Sequence, residues 1–134
     1  LETFTPDVRP GNQTALATLY HPFAEYLTAF HRRLHPYWGD GFLASLNAQP
    51  DTHPLNDMTL CVKLEIVVND DGTIRKVTIV RYSGNTVYDV AAIDAVFQGE
   101  PYPVPPEDLR SGDGRLYLRW SFYRNNSQCG VWNA

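Results

Sequence analysis

Three groupings in this sequence have residue types and spacings that chemistry uses: Asp89 with Asp94, His31 with His35, and Cys61 with Cys129. Two carboxylates divide acid and base roles when a cleft pushes their pKa values apart. Two histidines at i and i+4 on one helical face chelate zinc when a third ligand joins them, and His21 and Asp40 are the nearest candidates. Two cysteines either bond to each other or stay as separate thiols.

The carboxylates read as structure. Asp89 follows Thr86 by three residues, where an acidic side chain completes a capping-box-like arrangement and meets the positive end of a helix dipole. Asp94 falls off the apolar face of the same helix and is expected in water. The histidines enclose Arg32, Arg33 and Leu34, without the Glu of a metalloprotease motif, and two guanidinium groups oppose a bound cation. A small zinc-dependent enzyme is therefore the weakest functional reading. No serine or cysteine stands in a nucleophile motif, so catalysis, a metal and a cofactor are not expected. The cysteines have no CxxC or other metal-type spacing. A Cys61–Cys129 bond would close a long loop, add roughly 4 kcal/mol in the chain-entropy model, and imply an oxidising compartment.

Bulk properties narrow the partners. A chain of 134 residues with 43% hydrophobic content buries one modest core. A net charge of -4 with both signs interspersed lacks the basic stripe that nucleic-acid binding needs. Apolar runs are strand-length, short of the roughly 20 residues of a membrane span. The chain opens at Leu1 with no signal-like segment, so an anchoring or targeting segment is expected upstream.

The elements that would position these side chains follow from periodicity. Residues 1–18 carry Pro6, Pro10, Gly11 and Asn12 with little pattern and read as a linker or entry segment; the domain is expected over residues 19–134. Phe23, Tyr26, Leu27, Phe30 and Leu34 fall at helical spacing, with Pro22 in the first turn and Pro36 ending the run. Asp40 would cap a short second helix, followed by a Pro-rich surface connector. Leu60, Val62, Leu64, Ile66 and Val68 alternate with Cys61, Lys63, Glu65 and Val67, the period-two mark of a strand. Asn69-Asp70-Asp71-Gly72 is a hairpin turn. The returning strand places Val77 and Ile79 on one face and Ile74 and Val80 on the other. After Ser83-Gly84, a helix beginning past Thr86 lines up Tyr88, Ala91, Ala92, Ala95 and Val96 on one face of mostly small residues that can lie close on a sheet. Four prolines from Pro101 to Pro106 force an extended crossing. A last strand alternates Leu116, Leu118, Trp120 and Phe122 against Tyr117, Arg119, Ser121 and Tyr123. The expected fold is α+β: N-terminal amphipathic helices, then β-β-α-β with a three-stranded antiparallel-type sheet packed on one face by helices.

The segments "LCVKLEIVV", "NDDGTI", "VTIVRYSGN", "YDVAAIDAV", "YPVPP" and "LRWSFYR" together resemble, in order and spacing, the C-terminal domain of TonB-type energy transducers, related in fold to TolA. The aromatic helix from Tyr26 to Trp38 is similar to the segment preceding this domain in TonB-like proteins of gliding bacteria. Tyr82-Ser83 stands where the family commonly has two serines, and "FQGEPYP" replaces its usual basic run after the helix. Gly72, Gly84, Thr86, Tyr88, Asp89, Ala92 and Ala95 are the structural positions.

The resemblance implies a periplasmic binding module, anchored to the inner membrane through an upstream segment, that couples a proton-driven motor to an outer-membrane or periplasmic protein. In that family the last strand receives the partner as an added strand. Carried here, this assigns partner binding to Arg115, Tyr117, Arg119, Ser121 and Tyr123. An alternative is a TonB-like component of another envelope machine, serving gliding motility or envelope maintenance. An exposed strand edge also permits a homodimer.

Overall fold

A computed structural model describes residues 7–8 and 20–125. In chain order the main elements are β1 (Asp7–Val8), α1 (Tyr20–Tyr37), α2 (Ala44–Asn47), β2 (Cys61–Val68), β3 (Ile74–Arg81), α3 (Thr86–Gln98) and β4 (Leu116–Tyr123). The fold is α+β, with an antiparallel sheet in the order β1-β4-β2-β3. Three strands carry it at full length, and β1 adds two residues from the stretch expected to be a linker.

The sheet forms where alternation demanded it. Val62, Leu64, Ile66 and Val68 of β2 and Leu116, Leu118, Trp120 and Phe122 of β4 point together into the core, and all are essentially closed to solvent. β3 departs from the expected alternation. Its register against β2 shifts between Val67 and Val68 and again between Lys63 and Leu64. These irregularities put Ile74 in the core with Val77 and Ile79 beside it, while Val80 is left exposed. A bulge places two residues opposite one and so turns a side chain to the other face, which strict period-two counting misses.

The β2–β3 turn depends on Gly72. Its φ is +89°, and a Cβ there would sit 2.1 Å from the Tyr102 carbonyl oxygen. Both conditions exclude a side chain. The backbone answers in kind, since Gly72 N–H donates to Asn69 O at 3.0 Å and Tyr102 N–H donates to Gly72 O at 3.0 Å. The turn and the proline-rich crossing are thus one unit.

Pro36 does not end the first helical run. α1 contains it and passes into a π-helical segment, Trp38–Leu43, and then α2. Proline removes one i→i−4 bond, and the wider π turn re-registers the bonding beyond it without breaking the rod. Asp40 accordingly lies inside the π segment and caps nothing; its carboxylate faces His35 Nδ1 at 3.4 Å. The payoff in packing is Trp38, fully buried against Phe42, Tyr88 and Phe122 at ring-centroid distances of 5.0, 5.3 and 5.1 Å.

α3 lies on the sheet through Tyr88, Ala92, Ala95 and Val96, with Ala91 half-buried. Its cap is Asn85, one residue before the expected Thr86: the Asn85 side chain accepts from Tyr88 N–H at 3.1 Å. The preceding turn uses Gly84 at φ +97°. Tyr88 donates its hydroxyl to Phe122 O at 2.9 Å, tying α3 to β4, and burial raises its pKa.

The crossing loop is held at several points. Tyr102 stacks on Phe30 with centroids 3.8 Å apart and donates to Val96 O at 2.7 Å. Tyr26 donates to Pro103 O at 2.8 Å, and Glu100 accepts from Ile74 N–H at 2.6 Å. Desolvation raises the pKa of both tyrosines, so they stay neutral donors. The connector after α2 is also ordered: Leu55 is buried, and Arg124 donates to Asn47 and Asn56 at 2.9 and 2.7 Å.

Candidate partner-binding site

The carboxylates that opened the sequence question lie apart in role. Asp89 is buried, and both its oxygens accept from Ser83 N–H at 3.3 and 3.2 Å. It closes the turn before α3. The bond goes to the strand exit, not to the cap residue that a capping box would use. Asp94 is exposed on the outer side of the helix. Neither contributes to a shared cleft.

His31 and His35 are edge-to-face at 5.4 Å, and His31 also stacks over Trp120 at 6.2 Å. They cover the core as well as meeting solvent. The side chain of His21 lies outside the described residues. Among the described residues no group of three or more His, Cys, Asp and Glu is placed to hold a metal ion.

β4 is the element on which the partner-binding expectation rests. Its core face is locked by β2 and the helices, and its other face carries four of the assigned residues, with Arg115 just before the strand. In register with β2 they form a second layer: Tyr123 opposite Cys61, Ser121 opposite Lys63, Arg119 opposite Glu65, and Tyr117 opposite Val67. Exposure along this face is graded. Arg115, Tyr117 and Arg119 are half-buried, whereas Ser121 and Tyr123 are each 1% exposed, with Lys63 at 3% opposite Ser121. Alternation alone could not foresee this, because it assigns a face without saying what covers it.

The accessible half of the face is rich in charge. Arg119 Nε lies 3.8 Å from Glu65 Oε2, an ion-pair separation too long for a hydrogen bond, and this buried Nε has no hydrogen-bond partner among the described residues. Glu65, Val67, Arg75, Lys76, Arg115 and Tyr117 line a depression of about 260 Å³. Asp113 stands at the entrance to β4. It accepts from the Tyr117 hydroxyl and from Arg115 N–H at 2.9 Å, and the Tyr117 bond is the main reason its pKa is lowered.

The strand edge itself carries the remaining observation. β1 runs antiparallel to β4, with Asp7 opposite Arg119 and Val8 opposite Leu118. A segment from outside the β-β-α-β unit is therefore paired to the middle of the last strand.

Cys61 begins β2 and is half-buried; Cys129 lies outside the described residues, so their pairing is not described. No helix among the described residues is long and apolar enough to cross a membrane.

Comparison with known proteins is consistent with this architecture. No curated protein matches, and no solved structure matches. The family model described as TonB C terminal matches residues 23–113, a span that takes in most of α1, the β2–β3 hairpin, α3 and the proline-rich crossing and ends just before β4. With that match over most of the chain and the α+β sheet that the family's segments build, this chain belongs to the TonB C-terminal domain family.

Proposed function

We propose that this domain is the periplasmic binding module of a TonB-like energy transducer, taking up an extended segment of an outer-membrane or periplasmic protein along β4. Domains of the family are periplasmic and interact with outer-membrane or periplasmic proteins. In this reading an upstream anchor joins residues 19–134 to inner-membrane motor proteins, and the domain transmits force and catalyses nothing.

The observation that carries the proposal is the pairing of β1 to β4. β4 accepts an added antiparallel strand in its middle, which is the geometry that strand-addition recognition uses. Main-chain bonds supply most of the attraction, and side chains on alternate positions supply selectivity. Tyr117 and Arg119 are the contributors within reach of solvent, with Arg115 at the strand entrance. Ser121 and Tyr123, buried as they are, set the strand's position and give their backbone.

An amide NMR titration with N-terminal segments of outer-membrane receptors tests this. Shifts concentrated from Arg115 to Tyr123 are expected, and silence from every segment overturns the reading. Segments from periplasmic motility proteins in the same panel address the alternative role in another envelope machine, which would use the same edge.

A Cys61–Cys129 disulfide belongs to the proposal because the periplasm is oxidising. Intact mass should rise by two hydrogens on reduction; an unchanged mass removes the bond from the account.

A further inference from the structure

We propose that β1 is a built-in occupant of the partner edge, and that this edge selects extended segments placing an acidic residue opposite Arg119. The inference rests on the strand-addition reading above and adds to it a competitor and a charge rule.

The register supports the first half. Asp7–Val8 runs antiparallel to β4 and stands opposite Arg119 and Leu118, in the middle of the strand proposed for the partner. Its pairing spans two residues, against eight in β4. Two residues of strand pairing hold a separate peptide only weakly. They hold here because the short connection to Tyr20 keeps the segment at an effective concentration on the order of millimolar. An incoming segment that pairs over a longer part of β4 gains more main-chain bonds than β1 has and can replace it. Until it does, the edge is partly unavailable, and the apparent affinity falls in proportion to the fraction of molecules in which β1 is displaced.

Charge supports the second half. Arg119 is held by one carboxylate, Glu65, at 3.8 Å, and its buried Nε lacks a hydrogen bond among the described residues. Arg115, at the strand entrance, lies 3.9 Å from Asp113, and Arg75 and Lys76 stand on β3, beyond β2 from this edge. Arg119 thus stands beside the edge as a cation whose carboxylate neighbour is beyond hydrogen-bond reach. An acidic residue opposite Arg119 is a cross-strand pair of opposite charge, the favourable combination in an antiparallel ladder. The residue that the chain itself places there is Asp7.

The test uses the full chain, a second full chain carrying Asp7→Pro and Val8→Pro, and a synthetic hexapeptide copying Phe4 to Arg9. Proline cannot donate to a ladder, so the double variant releases the edge whichever of the two N–H groups faces β4. The hexapeptide is expected to shift amides from Leu116 to Tyr123 in the variant, with affinity about tenfold or more above that for the unaltered chain. A copy with Lys in place of Asp should bind the variant more weakly. Equal affinity for both chains, or no binding to the variant, overturns the occupant; equal binding of the two hexapeptides overturns the charge rule.

Asp7→Lys keeps the backbone donor and serves if the prolines disturb folding. It should raise hexapeptide affinity by a smaller factor, and no rise counts against the proposal. The outcome is separable from the transducer reading. Receptor segments that bind both chains alike would leave that reading standing and remove the occupant. A hexapeptide that discriminates between chains to which no receptor segment binds would do the reverse.

Discussion

The two sides of β4 are paired very unequally. On one side β2 accompanies it along all eight residues, and the shared inner layer of Leu64, Ile66, Trp120 and Phe122 is closed to water. On the other, β1 meets it over two residues. Main-chain pairing is the same interaction on both sides, so the difference lies in what accompanies it. On the β2 side each backbone bond is reinforced by buried side chains and opens only with the whole domain. A two-residue strand has far fewer main-chain bonds to lose and opens locally at lower cost. The proposed strand exchange would need this inequality: a rigid strand with one permanent neighbour and one replaceable neighbour.

The comparison breaks most visibly with proline. Glu65→Pro removes a ladder donor from a central strand and should be the most destabilising of these changes, seen as an early urea midpoint or as failure to fold. The same residue type in β1, in the Asp7→Pro and Val8→Pro chain, should leave the midpoint within about 0.5 kcal/mol of the original. Comparable losses from the two would mean that β1 is part of the cooperative core.

Gly72→Ala is expected to have an intermediate effect, about 1–3 kcal/mol by thermal or urea unfolding. It forces an L residue into φ +89° and pushes a methyl into the Tyr102 carbonyl. If its cost is small, the hairpin and the proline-rich crossing are not the single unit described above, and the permanence of the β2 side rests on the inner layer alone.

Much of the rigid side was legible in the residues. The alternation in β2 and β4, the Asn69–Gly72 turn, and the small-residue face of α3 are local patterns, and each corresponds to an element that forms. So is the family: its segments are spread over enough of the chain to be recognised by order and spacing. Reading Asp89 as structural was also within reach, because a carboxylate near a helix start has ready backbone donors. Its actual donor, Ser83 N–H, depends on how the strand leaves the sheet.

The candidate edge was legible only in part. That β4 is the candidate receiving strand came through the resemblance. That Ser121 and Tyr123 would be closed to solvent while Arg119 stayed half-open did not, because a two-residue period assigns faces and says nothing of cover. Pro36 misled for a similar reason: it removes a hydrogen bond, but whether the helix stops depends on whether Trp38 has a pocket to reach among Phe42, Tyr88 and Phe122.

What the sequence by itself determined is what nearest neighbours along the chain can settle: periodicity, turn chemistry, the absence of a basic stripe, and the family. The tertiary structure decided the rest, namely the bulges that bring Ile74 inward, the π turn past Pro36, and the placing of Asp7 opposite Arg119. Each depends on packing against elements elsewhere in the chain, whose free energy counts only once those elements are in place.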